Sequence, residues 1–281
     1  MPRGAPHTTT SVSVFLETHV GPVATLLPIG GGDTHHSFRA TLSDGGSLFV
    51  KHSPNPHPFE AEALGLEAMA ASGTPLVVPQ PLARDAHHLV LPWLEPGPAA
   101  PDEALGEGLA VLHRQSAPAF GFPIDGSCGA TPQPNPWTTD WPTFFVRHRL
   151  RPLLVALRPK GTESPSADAL LASLPQRLAT DEPPALVHGD LWSGNHLCTT
   201  KGHALVDPAA HYAHREFELG MMRWFGGFGD AVYEAYDATW PLPPGWRDRV
   251  EIYRLYHVLN HAVLFGGGYR REAFAMTKRL A

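Results

Sequence analysis

Short runs of apolar residues with polar neighbours mark the first third of the chain. Residues 37–42 and 48–51 predict two strands, and they flank Asp-Gly-Gly at 44–46, which is a hairpin turn signal. Residues 88–91 predict another, buried strand. Apolar side chains recur at helical spacing over residues 59–71, which predicts an amphipathic helix. This part of the chain is therefore predicted to be a small sheet with one helix.

The segment 92–98 changes the pattern, because its prolines and glycine favour a connector over a helix or strand. Beyond it helical spacing dominates, and two short apolar runs each lead into a polar motif. The predicted helices cover residues 105–114, 140–157 and 247–265, and the predicted strands cover residues 185–187 and 204–206. We therefore predict an α+β protein of two lobes. The predicted divisions are an N-terminal nucleotide-binding lobe at 1–91, a hinge at 92–98 and a larger, mainly helical lobe at 99–281.

Composition and charge exclude several classes of protein for this chain. Hydrophobic residues make up 43% and charged residues 17% of the 281 residues, as in globular proteins. The formal net charge of -6 argues against a nucleic-acid partner, because phosphate binding needs clustered Lys and Arg. No apolar run reaches the roughly 18 residues of a membrane span, and the first residues lack the apolar centre of a signal peptide. Cys128 and Cys198 form no metal or redox motif, so we expect a cytoplasmic protein with reduced thiols.

The strongest chemical signal is Val-His-Gly-Asp-Leu-Trp-Ser-Gly-Asn at residues 187–195. Asn195 lies five positions after Asp190, and Asp207 lies twelve positions after Asn195. Phosphoryl transfer from ATP needs a carboxylate that accepts or orients the acceptor hydroxyl, and oxygen ligands that hold Mg²⁺ against the phosphates. Ordinary turns would explain each piece singly but not the ordered set. We therefore predict Asp190 as the catalytic base and Asn195 and Asp207 as metal ligands.

Lys51 ends the second predicted strand of the hairpin. In kinases, a lysine at such a position contacts the α- and β-phosphates and pairs with a helix glutamate. Glu62 lies on the inward apolar face of the helix predicted at 59–71, so it is the expected partner. Glu60 and Glu67 are the competing candidates.

The glycine run that contains Gly31 and Gly32 precedes this hairpin. It is predicted to cover the phosphates of a nucleotide, since glycine lets backbone N–H groups approach an anion closely. It matches neither the GxGxxG pattern nor a Walker motif. At the connector, the Pro92 carbonyl and the Leu94 N–H are the candidates for backbone contacts to adenine, because proline can accept but cannot donate. Together these positions predict an ATP site.

Longer stretches, spread from about residue 28 to residue 270, carry a more specific pattern. They include Phe-Glu-Ala-Glu-Ala-Leu-Gly-Leu at 59–66, Thr-Pro-Gln-Pro-Asn-Pro-Trp at 131–137, His-Gly-Asp-Leu-Trp-Ser-Gly-Asn at 188–195 and Phe-Gly-Gly-Phe at 225–228. In these stretches the chain resembles the fructosamine kinase (ketosamine kinase) family, relatives of the aminoglycoside phosphotransferases. The resemblance implies a protein-kinase-like two-lobe fold. It also implies phosphorylation of a sugar hydroxyl of a ketosamine, such as a fructosyl- or ribulosyl-amine, with ATP and Mg²⁺ as cofactors.

The implied substrate is a small glycated amine or a glycated protein lysine, and the expected oligomeric state is a monomer. The chain departs from the family pattern at Ala213-His214, where Gly-Asp is usual, and at Glu218, where Asp is common. These positions follow the predicted metal carboxylate closely. A kinase of another small molecule (an aminoglycoside, a choline-like amine or a sugar) therefore stays the alternative. A non-catalytic nucleotide-binding module is disfavoured, because the predicted phosphate, base and metal residues are all present.

The aromatic residues near these motifs have open roles. Trp192 has two interpretations: its indole stacks on the sugar or the amine substituent of the acceptor, or it packs the catalytic loop. Trp137 and Trp141 are expected in the core or the cleft wall rather than in contact with ligands. His188 is expected to orient the loop by hydrogen bonding rather than to transfer protons.

Overall fold

The N-terminal part of the computed structural model, which describes residues 5–30, 35–158 and 164–281, is built on an antiparallel sheet. Its strand order is β1-β2-β3-β5-β4. The strands are β1 Val23–Ile29, β2 His36–Leu42, β3 Ser47–His52, β4 Ala83–Arg84 and β5 His88–Pro92. The strands predicted at 37–42, 48–51 and 88–91 are confirmed. Since β3 is central, Lys51 is paired on both sides, with Ser37 and with Leu89.

Two helices cover opposite faces of this sheet. They are α1 Ala5–His19 and α2 Phe59–Ala71. Val90 packs in the same cluster as α1, whereas its neighbours Leu89 and Leu91 pack with α2, as the alternation of a strand requires. Lys51 is opposite Leu89, so its side chain lies on the α2 face. The helix predicted at 59–71 is confirmed, and α1 is an addition that the apolar pattern did not reveal.

The rest of the chain is mainly helical, with short strand pairs around the cleft. The helices are α3 Asp102–His113, α4 Trp141–Phe145, α5 Arg151–Leu157, α6 Pro165–Arg177, α7 Glu216–Phe225, α8 Asp230–Thr239, α9 Trp246–Phe265 and α10 Gly267–Leu280. The strands are β6 Gly126–Cys128, β7 Thr131–Gln133, β8 Ala185–Val187, β9 His196–Thr199, β10 Gly202–Leu205 and β11 His211–Ala213. The long helix α9 is buried along much of its length and packs against α7 and α10. Among the described residues, no helix is long and apolar enough to span a membrane.

The single helix predicted over residues 140–157 is wrong in one respect. A π-helical turn, Val146–Leu150, separates α4 from α5. Pro152 lies in the first turn of α5 and has no N–H for a helical hydrogen bond to residue 148. The regular ladder is therefore interrupted, and an extra residue is accommodated just before the proline.

Candidate active site

A cleft of about 1280 Å³ lies between the sheet and the helical part of the chain. The site residues predicted from the sequence line it wherever they are described. They are Lys51, Glu62, Pro92, Leu94, Asp190, Trp192, Asn195 and Asp207. Gly31 and Gly32 lie outside the described residues. Side chains more than 150 positions apart in the chain thus face one cavity.

Lys51 sits at the centre of a charge cluster in this cleft, in which Lys51 and Glu62 are buried and Asp207 is partly exposed. Its Nζ lies 2.7 Å from Glu62 Oε1 and 2.7 Å from Asp207 Oδ1. Burial alone would lower the pKa of Lys51, but the carboxylates of Asp207 and Glu62 outweigh it and raise that pKa. Burial raises the pKa of Glu62 to about 7, against the opposing effect of the Lys51 ammonium. The two carboxylates therefore stabilise the charged form of the Lys51 ammonium.

The glutamate that contacts Lys51 is selected by the face of α2. Glu60 and Glu67, the competing candidates, point instead to Arg84 of β4. The Arg84 Nε lies 2.7 Å from Glu60 Oε2, and its Nη1 lies 2.5 Å from Glu67 Oε1. Only Glu62 of these three is buried.

The loop that carries Asp190 leaves β8 at His188 and turns sharply at Gly189. Gly189 has a φ of +84°, and a Cβ built there would lie 2.2 Å from the Ala209 carbonyl oxygen. Only glycine suits both the conformation and this close approach. His188 Nε2 lies 2.9 Å from the Val206 carbonyl oxygen and therefore donates to it. Its Nδ1 accepts from the Asp190 N–H at 3.3 Å, so one neutral imidazole links the Asp190 and Asp207 segments.

Glu218 stabilises this turn through hydrogen bonds to its backbone. It was not predicted as a site residue. The carboxylate is fully buried on α7 and accepts hydrogen bonds from the backbone N–H groups of His188 and Gly189. His113 Nε2 lies 3.7 Å from it. Burial alone would raise the pKa of Glu218, but His113, His188 and the Gly189 N–H outweigh it and lower that pKa. The only signal in the sequence was its acidic character at a position where Asp is common in related chains.

Asn195 and Asp207 reach the cleft beside Asp190. Asn195 ends a 3₁₀ turn, Ser193–Asn195, and its Nδ2 donates to the Asp190 carbonyl oxygen at 2.9 Å. The Val206 N–H donates to the Asn195 carbonyl oxygen at 3.1 Å, which joins the two segments. Asp207 has a φ of +60°, a left-handed conformation that Asp adopts more readily than most residues. Burial alone would raise the pKa of Asp207, but Lys51 outweighs it and lowers that pKa.

The pKa of Asp190 shifts in the opposite direction to that of Asp207. Burial raises its pKa well above the ordinary value, and the charges of Asp207 and Glu218 add to that shift. Cys128 and Asn195 donate hydrogen bonds that oppose the shift without cancelling it. A carboxylate in this setting is more basic than one exposed to water.

The three tryptophans discussed for the predicted motifs lie in different surroundings. Trp192 packs on the loop, since a Cβ on Gly194 would collide with its ring and Phe225 lies at a centroid distance of 5.7 Å. Trp192 also lines the cleft and is 37% exposed, so both interpretations of this residue stay open. Trp141 is a core residue, with Nε1 donating to the Tyr253 hydroxyl at 3.0 Å. Trp137 is half exposed and does not line the cleft, so the expected core or cleft-wall position is wrong for this residue.

Comparison with known proteins agrees with the fold. The family model described as "Fructosamine kinase" matches residues 9–281. The chain belongs to the fructosamine kinase family. This membership confirms the predicted enzyme class, a phosphotransferase.

Other fructosamine kinase family members and their structures show the same relationship. A Synechocystis protein assigned as a ketoamine kinase is 45% identical over 230 residues, which cover 79% of this chain and 78% of that protein. A chloroplastic protein-ribulosamine 3-kinase of Oryza sativa is 38% identical over 261 residues, covering 88% of this chain and 76% of that protein. A crystal structure from Thermobifida fusca, assigned as a fructosamine-3-kinase, has a TM-score of 0.87 and 36% identity, covering 96% and 98% of the two chains. The predicted α+β, protein-kinase-like fold is thereby confirmed.

Proposed function

We propose that this protein transfers the γ-phosphoryl group of ATP to a sugar hydroxyl of a ketosamine, either a small glycated amine or a glycated lysine. The observation that carries the proposal is the convergence of Lys51, Asp190, Asn195 and Asp207 on one cleft. Relatives assigned as ketoamine kinases and protein-ribulosamine 3-kinases support the acceptor class.

The nucleotide end of the cleft is assigned by position. Lys51, held by Glu62, would contact the α- and β-phosphates, as the corresponding lysine does in kinases. The Pro92 carbonyl and the Leu94 N–H would contact adenine, since both residues line the cleft. In this proposal, residues 1–91 form the nucleotide lobe, 92–98 the hinge and 99–281 the catalytic lobe. The glycine run at Gly31 and Gly32 would cover the phosphates.

The oxygen atoms beside Asp190 fit Mg²⁺, which prefers carboxylate and amide oxygens. Asn195 commits its Nδ2 to Asp190, so its Oδ1 is the atom left for an ion. Asp207 gives Oδ1 to Lys51 and keeps Oδ2 for an ion. We assign these two residues as the metal ligands. When bound, Mg²⁺ neutralises charge on the phosphates.

Asp190 acts as the base in the proposed mechanism. The acceptor hydroxyl oxygen attacks the γ-phosphorus, the bond from that phosphorus to the β–γ bridging oxygen breaks, and ADP leaves. Asp190 takes the hydroxyl proton, and its raised pKa favours that transfer. Glu218 and His188 hold the loop so that this carboxylate faces the cleft. Trp192, at the same mouth, would form a wall for the sugar or its amine substituent.

The test is an ADP-release assay with Asp190→Asn, which keeps the shape of the side chain and removes its charge. Ribulosamines, fructosamines, free sugars and aminoglycosides are compared as acceptors. We expect turnover of a ketosamine by the wild type and a fall in kcat of about 100-fold or more in the variant. Asp181→Asn, at an exposed carboxylate, is the matched control and should retain full activity. Wild-type turnover in Asp190→Asn would remove the base assignment, and turnover of sugars or aminoglycosides alone would overturn the acceptor class.

A further inference from the structure

The hairpin of β9 and β10 carries three potential metal ligands on one face. His203 lies directly opposite Cys198 in the pairing, and His196 lies two residues before Cys198 on the same strand. Because side chains alternate along a strand, all three project to the same side. One ligand atom from each lies within 4.8 Å of the other two. In the described parts of the chain, no other three His, Cys, Asp or Glu side chains meet in this way.

The hydrogen bonds of this group already set the protonation that a metal site needs. His203 Nε2 lies 2.9 Å from the Pro101 carbonyl oxygen, which can only accept, so this nitrogen carries the proton. His203 Nδ1 therefore presents a lone pair, and it lies 2.8 Å from His196 Nε2. Metal-binding histidines characteristically donate their second ring N–H to a backbone carbonyl in this manner, because the bond fixes the tautomer and the orientation of the ring.

We infer that this hairpin binds one Zn²⁺ ion through His196 Nε2, Cys198 Sγ and His203 Nδ1. Two imidazoles and a thiolate are zinc-type donors, whereas Mg²⁺ prefers oxygen ligands such as those proposed for it in the cleft. Three protein ligands leave a fourth, tetrahedral position for water. His203 is buried, and His196 and Cys198 are partly exposed, so the site is formed by the fold and still reachable from solvent.

Zinc binding requires changes of protonation at Cys198 and His196 and a small movement of the imidazole rings. The Cys198 thiol loses one proton to solvent and forms a sulfur–zinc bond. His196 exchanges its Nε2 proton for one on Nδ1 through solvent, with no net loss. Two nitrogens that bind one tetrahedral Zn²⁺ lie about 3.3 Å apart, so the two rings must separate slightly from their present hydrogen bond.

The hairpin occupies a central position in the catalytic part of the molecule. His196 directly follows Asn195, and β10 leads into Asp207. The Gly97 N–H donates to the Cys198 carbonyl oxygen at 3.0 Å, and the Val77 N–H donates to the His203 carbonyl oxygen at 2.8 Å. An ion on this face would therefore stabilise the segment that connects the catalytic loop to the carboxylate of Asp207.

The experiment uses the full chain, stripped with a chelator and titrated with Co²⁺ and then Zn²⁺ in excess Mg²⁺. We expect one ion per chain, a thiolate-to-cobalt charge-transfer band that Zn²⁺ abolishes, and a higher Tm in Zn²⁺. Cys198→Ser should lose the band and bind Zn²⁺ at least about tenfold more weakly. Cys128→Ser, at the only other cysteine, is the matched control and should keep both.

Circular dichroism of each chelated variant checks that the fold is retained, and His196→Gln provides a second test at a partly exposed ligand. It should also bind at least about tenfold more weakly. Absence of a thiolate band in the wild type, a band that persists in Cys198→Ser, or equal Zn²⁺ affinity in all variants would overturn the inference.

Discussion

Replacing Glu218 with Gln tests whether this buried carboxylate holds the catalytic turn. Glu218 accepts from the backbone N–H groups of His188 and Gly189, immediately before the proposed base Asp190. Gln keeps the size of the side chain but has one acceptor oxygen and a donating NH₂ group. In the variant, at least one backbone N–H therefore faces a donor.

The magnitude follows from the burial and the hydrogen bonds. A hydrogen bond to a charged group contributes about 1.5–3 kcal/mol, and leaving a buried donor without an acceptor costs about 1–3 kcal/mol. Because Glu218 is fully buried, solvent cannot replace the lost acceptor. We expect Glu218→Gln to lower the free energy of unfolding by about 2–4 kcal/mol. Displacement of Asp190 by up to about 1 Å should lower kcat by as much as about 100-fold.

Urea unfolding followed by circular dichroism measures the stability, and ADP release with a ketosamine at saturating ATP measures kcat. Glu218→Asp retains the charge and should lose less of both quantities than Glu218→Gln. Glu234→Gln, at an exposed position on α8, is the matched control and should behave as the wild type. A Glu218→Gln protein with unchanged kcat and a free energy of unfolding within about 0.5 kcal/mol of the wild type would refute the reasoning.

Two further predictions concern charge and pH. Lys51→Met should weaken ATP binding and reduce kcat at least about tenfold, because two carboxylates then meet without their shared ammonium; unchanged calorimetric affinity and kcat would contradict the assigned role. Burial lowers the pKa of His214 to about 4 and that of His257 to about 3, so the unfolded chain binds more protons at mildly acid pH. Their stabilising effect is complete above the unfolded pKa of about 6.5. It is lost progressively as pH falls from there to the folded values, by up to about 1.4 kcal/mol per pH unit for each histidine. Urea unfolding between pH 7 and 4 should show this fall. The free energy of unfolding of His257→Asn should depend less steeply on pH than that of the wild type. Equal slopes would contradict the assigned contribution of His257.

Local sequence patterns were sufficient to predict the elements that are specified by the spacing of neighbouring residues. The helix at 59–71 and the strands around Lys51 follow from apolar spacing, and the structure has them at those positions. The choice of Glu62 over Glu60 and Glu67 follows from the same spacing, because a helix separates these side chains onto different faces. The order of Asp190, Asn195 and Asp207 indicated phosphoryl transfer without any tertiary information.

Two elements that depend on packing could not be predicted from the sequence. Helix α1 contains threonines and valines that favour helices weakly. Its apolar residues Val12, Phe15 and Leu16 are buried against the sheet. The π-helical turn before α5 depends on how a single proline is accommodated inside a long apolar stretch.

The sequence alone thus determined the main elements and the chemical class of the residues, since propensity, spacing and donor type act over a few neighbouring positions. Tertiary structure alone decided the contacts between distant groups that no motif indicated. Glu218 reaches the His188 N–H across 30 positions, and His203 reaches the Pro101 carbonyl across 102. Neither contact has a local pattern, because a buried carboxylate or imidazole takes whichever donor or acceptor the packed chain places beside it.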